Sequence, residues 1–196
     1  MDSNIDDCDV SPASIIQKNL SFTGSEIMGN QDSKFITDWL NTIFTSGFKF
    51  ELIYRASRDG DRTFHEFCDN KGPTLSIIRS ENDQIFGGFS KNSWNCSGDF
   101  GDDDNDAFLY SLSTQTIYKC KVPMYATYNV NETYIMSYGY PDGIILFTDF
   151  LKSNSNTAYV EGNSFGSDDN CKTRINLSGT EKFKVLDCEF YKVNLE

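Results

Sequence analysis

Apolar residues recur along the chain at two periods, and the change from one to the other marks its elements. Phe35, Ile36, Trp39, Leu40, Ile43 and Phe44 repeat at spacings of one and four. That period lines one face of a helix, predicted over residues 33–44. Ser33 is the expected N-cap, accepting from a free backbone N–H, and Gly47 ends the helix. The stripe reads as a core-facing surface rather than a cofactor pocket. From Phe48 to Arg55 apolar and polar residues alternate instead, as in a half-buried strand. Residues 57–60, Ser-Arg-Asp-Gly, make a turn. Thr63 and Glu66 have capping-box spacing at the start of a short helix over 63–70, which Gly72-Pro73 stops.

Strand patterns then follow closely. Residues 74–79 and 84–89 flank a polar turn at 80–83 and predict a hairpin. Further short runs lie at 107–112, 116–122, 134–137 and 144–147. The last run, 182–193, changes phase. Phe183 and Val185 alternate with lysines, after which Leu186, Cys188 and Phe190 alternate with Asp187 and Glu189. A one-residue slip of that kind is what a β-bulge accommodates. Many short strands between Gly, Asn, Asp and Pro turns, with two helices near the start, predict an α+β, mainly β fold. The expected architecture is a two-sheet antiparallel β-sandwich flanked by short helices. Residues 1–30 lack sustained periodicity, with Ile15, Ile16, Leu20 and Phe22 among their few apolar marks. Residues 1–23 are therefore expected to be a mobile lead and 24–193 the domain, one domain being what 196 residues suit.

Composition sharpens this picture. Sixteen Phe and ten Tyr allow a core of rings despite an apolar fraction of 38%. The formal net charge of -12 repels phosphate backbones and anionic lipid heads, which argues against nucleic acid and bare membrane as partners. Lys18, Lys34, Lys49, Arg55, Arg58, Arg62 and Lys71 concentrate in the first half but are scattered enough to be ordinary solvated charge. No apolar run is long enough to cross a membrane, and the acidic start lacks a signal-like apolar stretch, so a cytoplasmic location is expected. Asn19, Asn95, Asn131 and Asn176 fit the glycosylation pattern only by chance on that view. Cys8, Cys68, Cys96, Cys120, Cys171 and Cys188 stand singly, with no C-x-x-C pair, and are expected to be free thiols.

Few residues suggest chemistry. His65, the only histidine, precedes Cys68 by three and would share its helix face as a thiolate pair or two metal ligands. Structural zinc needs two further ligands, and a partly exposed histidine beside a buried cysteine is the plainer reading. Asp168 and Asp169 would suppress a thiolate at Cys171, whereas Lys119 and Lys121 would favour one at Cys120. Residues 99–106 hold five aspartates but fail as a calcium loop, because Ala107 and Ser113 stand where Gly and Glu are needed. Arg58, Asp59 and Glu66 are an acid/base candidate that reads more simply as local pairing, and Gly87-Gly88 reads as close strand packing rather than a phosphate loop.

Several segments, in order, resemble one family. Residues 52–60, Leu-Ile-Tyr-Arg-Ala-Ser-Arg-Asp-Gly, resemble the opening strand and turn of the TLDc domain, and residues 64–75 its helix-to-strand segment. Residues 85–89, Trp94 and residues 107–112 resemble its central strands. Residues 171–176 resemble its late cysteine motif, and 183–191 its last strand. The resemblance implies a β-sandwich flanked by short helices, and together with the lack of a plausible triad, metal site or nucleotide loop in the sequence it leads to the expectation of a protein-binding module without enzymatic activity, cofactor or metal. It implies links to oxidative-stress protection and to regulation of the vacuolar proton-pumping ATPase through that pump's soluble sector. A monomer is expected. The alternative is a cysteine-based antioxidant using Cys171, Cys120 or Cys68. One departure is the segment 139–147, Gly-Tyr-Pro-Asp-Gly-Ile-Ile-Leu-Phe, where the family carries a more glycine-rich run. Tyr140 and Pro141 limit how closely backbone approaches there.

Overall fold

The first helix, α1, spans Asn30–Ile43 and starts about a turn before the residue expected to cap it. Ser33 lies inside the first turn, its N–H and Oγ both bonding back to the Gly29 carbonyl. The Asp32 carboxylate accepts the Gly29 N–H at 3.2 Å, so the acidic group near the positive helix end does the capping. The computed structural model describes residues 22–129, 134–167 and 173–196.

After α1 come β1 (Phe48–Arg55) and two short helices, α2 (Ala56–Asp59) and α3 (Phe64–Cys68). The strands continue with β2 (Thr74–Ser80), β3 (Ile85–Ser90), β4 (Phe108–Ser111) and β5 (Thr116–Cys120). A 3-10 turn at Pro123–Tyr125 leads to β6 (Thr127–Tyr128), β7 (Tyr134–Tyr138), β8 (Gly143–Phe147) and β9 (Thr157–Val160). Last come β10 (Phe165–Gly166), β11 (Ile175–Asn176) and β12 (Val185–Leu195). Among the described residues, seven strands form one sheet in the order β1-β12-β2-β3-β4-β5-β10, and five form a second in the order β11-β9-β8-β7-β6. The pairings in both sheets are antiparallel, as the sandwich expectation requires.

The larger sheet is buried on both faces, which explains its nearly continuous apolar strands. Ile78, Phe86, Leu109, Cys188 and Phe190 point to the inter-sheet core, where they meet Met136, Tyr138, Ile144 and Leu146 of the smaller sheet. The alternate residues Leu75, Ile77, Phe89, Phe108, Tyr110 and Tyr191 point outward, beneath Ile36 and Leu40 of α1. The apolar stripe of α1 thus closes a second core. Each fully buried ring or aliphatic side chain contributes about 1.5–3 kcal/mol, so both layers are substantial.

Local details correct or sharpen the sequence expectations. The pairing of β12 with β2 slips between Val185 and Asp187, at the phase change, and Leu186 is turned out to solvent. Thr63 stands at the N-cap position of α3 but forms no capping box: its hydroxyl is aimed back at the Asp59 and Gly60 carbonyls (2.8 and 3.2 Å) and accepts no backbone N–H of the helix, while Glu66 is exposed. Gly87 sits where a Cβ would lie 1.9 Å from the Ser76 carbonyl oxygen, so that strand position tolerates only hydrogen. Residues 22–29, which run from the end of the expected lead into the expected domain, pack on the sheet. Phe22 stacks on Phe50 with ring centroids 3.8 Å apart. The expected lead up to residue 21 lies outside the described residues.

A buried ion pair fastens that segment. Glu189 of β12 is fully buried and accepts from Arg55 Nε at 3.0 Å, Glu26 N–H at 2.8 Å, Ser25 Oγ at 2.7 Å and Tyr191 Oη at 3.1 Å. Arg55 also donates to the Glu26 carboxylate at 2.6 Å and to the Gly24 carbonyl.

Candidate functional site

Of the cysteines proposed for redox chemistry, Cys68 is sealed and Cys120 is half-buried. Cys68 projects from α3 into the inter-sheet core, and burial first, then the Asp69 charge, pushes its thiol far above the ordinary range. Cys120, at the end of β5, is half-buried and pushed up to about 11 by burial, with Asp104 adding to the rise. The expectation that Lys119 and Lys121 would favour its thiolate fails because desolvation outweighs charge and because Lys119 is turned onto the Trp39 ring, 5.2 Å from its centroid. Cys188 is buried, and that burial pushes its thiol well above the ordinary range. Cys68, Cys96, Cys120 and Cys188 are all unbridged. Cys8 and Cys171 lie outside the described residues.

His65 does not pair with Cys68. It lies on the outer side of α3, its ring edge-on to Phe64 at 5.2 Å, and its Nδ1 is 2.9 Å from Asp69 Oδ1. Asp69 Oδ2 is approached by Cys96 Sγ at 3.6 Å. The loop carrying Cys96 is held against the end of α3 by backbone: Asp69 and Trp94 form a parallel bridge, and Asn70 N–H donates to the Trp94 carbonyl at 3.0 Å. Buried Trp94 donates its indole N–H to Thr74 Oγ1 at 2.9 Å, fixing the loop from below. Ligand-type atoms of His65, Asp69 and Cys96 all lie within 4.8 Å of one another, a grouping that singles out these three among the described residues. Sequence reasoning weighed His65 only with Cys68 and passed over Asp69 and Cys96. The i,i+4 spacing of His65 and Asp69 was available as a signal, whereas nothing local pointed to Cys96. The carboxylate lies between thiol and imidazole, and burial and its charge raise the Cys96 thiol. An activated nucleophile needs the imidazole against the sulfur, so this order does not generate a thiolate attack group.

The other candidates are absorbed by the scaffold. Asp104, the buried member of the acidic loop, accepts from Ser90 Oγ at 2.9 Å and Lys91 N–H at 2.7 Å, and Asp106 pairs with the Lys91 ammonium. Arg58 and Asp59 pair with each other, and Asp59 also accepts the Arg55 N–H at 2.9 Å. Glu66 takes no part in that set. Lys34, Lys49, Arg55 and Arg62 likewise each meet a carboxylate.

The departure at 139–147 is a braced turn. Buried Asp142 accepts the backbone N–H groups of Glu161, Asn163 and Ser164 at 3.0, 3.2 and 2.6 Å. Gly143 has φ +149, and a Cβ there would lie 1.7 Å from the Tyr138 carbonyl oxygen. The turn lifts Tyr140 beside Phe100 and Tyr125, at centroid distances of 5.9 and 6.0 Å. With Met124 they make an apolar corner, of which Phe100 is 39%, Met124 50% and Tyr140 60% exposed.

An antiparallel sandwich with a helix-covered outer sheet, Cys68 and Cys188 buried in its core and an exposed aromatic corner defines a mainly β domain. No helix among the described residues is long and apolar enough to cross a membrane. The chain belongs to the TLDc domain family, whose model matches residues 21–194. Comparison with curated proteins returns no match.

Proposed function

We propose that this chain is a non-enzymatic TLDc binding module that acts in the cytoplasm as a monomer. Its partner is the soluble sector of the vacuolar proton-pumping ATPase, and its role is to regulate that pump and protect against oxidative stress. The observation that carries this reading is the family match over residues 21–194. The burial of Cys68 and Cys188 and the raised thiol of Cys120 favour it over the cysteine-based antioxidant. Capture from cell extract on the immobilised full chain tests the partner. Recovery of soluble-sector pump subunits supports the reading. Their absence, where another TLDc protein recovers them in parallel, overturns it. Met124→Asp and Tyr140→Asp, both at exposed positions, ask whether the aromatic corner is the docking face.

A further inference from the structure

We infer that His65, Asp69 and Cys96 form a binding site for a zinc-type divalent metal ion. An imidazole, a carboxylate and a thiol together suit a borderline-soft transition metal and disfavour calcium or magnesium, which take oxygen ligands. The distances are close to what such an ion needs. Zinc bonds of about 2.0–2.3 Å in a tetrahedron put ligand atoms about 3.3–3.7 Å apart. Here Nδ1 and Oδ1 are 2.9 Å apart, Sγ and Oδ2 3.6 Å, and the grouping as a whole lies within 4.8 Å. Shifts of about an ångström or less, within rotamer adjustment, convert these hydrogen bonds into a coordination shell.

The backbone presents the ligands from two sides and holds them there. His65 and Asp69 are one helical turn apart at the end of α3, and the Trp94–Asp69 bridge sets the Cys96 loop against them. Gly72 N–H to Ser93 Oγ at 2.9 Å and Ser97 N–H to Asn95 Oδ1 at 2.8 Å brace that loop before and after the cysteine. The site opens to solvent, with the His65 and Asp69 side chains 28% and 19% exposed and Cys96 exposed. Three protein ligands therefore leave a fourth position for water, the arrangement of an open rather than a closed zinc site. On binding, the thiol proton passes to solvent, and the hydrogen that Nδ1 donates to Asp69 in the metal-free chain leaves it, the neutral imidazole then carrying its hydrogen on Nε2. The net charge of -12 favours cation over anion at any such opening.

Cobalt(II) is the probe, added to the metal-stripped full chain under reducing conditions and then displaced by zinc. The expected result is one ion per chain, with a sulfur-to-cobalt charge-transfer band in the near ultraviolet and the strong visible bands of four-coordination. Cys96→Ser abolishes the near-ultraviolet band, and His65→Ala weakens binding by at least about a hundredfold, since losing a ligand costs no less than losing a group that merely supports one. Cys120→Ser leaves both unchanged. All three variants are checked for an unaltered circular dichroism spectrum, which the exposure of Cys96 and the partial exposure of the other two sites favour. Asp69→Asn is the fallback should His65→Ala unfold. Absence of the band, its persistence in Cys96→Ser, or equal binding of magnesium overturns the assignment.

Discussion

Replacing Glu189 by Gln is expected to be among the most damaging single-atom changes this fold allows. The carboxylate is fully buried, and its two oxygens accept from four different residues. An amide keeps one acceptor and turns the other into a donor facing donors. If the amide nitrogen faces Ser25 and Tyr191, two hydroxyls lose an acceptor. If it faces Arg55 and Glu26, a guanidinium and a backbone N–H do. In either case Arg55, itself buried, loses its buried anionic partner and keeps the Gly24 carbonyl and the Glu26 carboxylate, whose side chain is 68% exposed. Stranding one partner of a buried ion pair costs about 3–5 kcal/mol. For a domain of this size each kcal/mol moves the melting temperature by about 2–4 °C, so the midpoint should fall by about 6–20 °C. Urea denaturation followed by circular dichroism measures the energy, and hydrogen exchange should show residues 22–29 losing protection first. A double-mutant cycle with Arg55→Met isolates the pair. If the stranded guanidinium is the cause, Glu189→Gln should cost at least about 2 kcal/mol less once Arg55 is gone. A loss below about 1 kcal/mol, or one unchanged in the Arg55→Met background, would refute the reasoning.

Gly87→Ala should destabilise by at least about 1–3 kcal/mol, because its Cβ meets the Ser76 carbonyl across the β2–β3 ladder, whereas Gly24→Ala meets open space and is limited to left-handed backbone strain. Urea midpoints of the two variants check the difference. Asp59 is held below the usual carboxylate range by its hydrogen bonds to Arg58, against burial, which raises it. A depressed folded pKa gives stability that is present above the unfolded value of about 3.9 and is lost as pH falls through the folded value. Asp59→Asn should therefore lower the urea midpoint at pH 7, and its gap from the parent should close at pH below about 4; a gap constant to pH 3 contradicts this. Thiol labelling of the native chain, mapped by mass spectrometry, should modify Cys96 well before Cys120, and Cys68 and Cys188 only on unfolding. Any of the three Ser substitutions at Cys68, Cys120 or Cys171 that lowers peroxide consumption revives the antioxidant reading.

Periodicity carried the parts of the fold that local burial decides. The α1 stripe, the β2–β3 hairpin and the slip in β12 all leave a mark within a few residues. β6, β10 and β11 are two residues long and β9 four, too short for alternation to register, and they pair because neighbouring strands offer an edge. Long-range polar contacts left even less trace. Arg55 and Glu189 lie 134 residues apart and resemble any other charges in their strands. Cys96 meets Asp69 across 27 residues, through a backbone bridge that depends on Trp94 reaching Thr74. The i,i+3 rule paired His65 with Cys68, but α3 is barely more than a turn long and its inner face belongs to the core, so the ring was left to find Asp69 outside.

The position of β12 has a consequence for biosynthesis. It lies between β1 and β2, so the first strand made has no partner in its sheet until the last one is made. A ribosome can finish the hairpins of the smaller sheet early, yet it must release Val185–Leu195 before the larger sheet can be joined. Until then Phe48 and Leu75 expose surfaces that belong under α1, and a premature stop before β12 leaves two unsatisfied strand edges for chaperones or proteases to find.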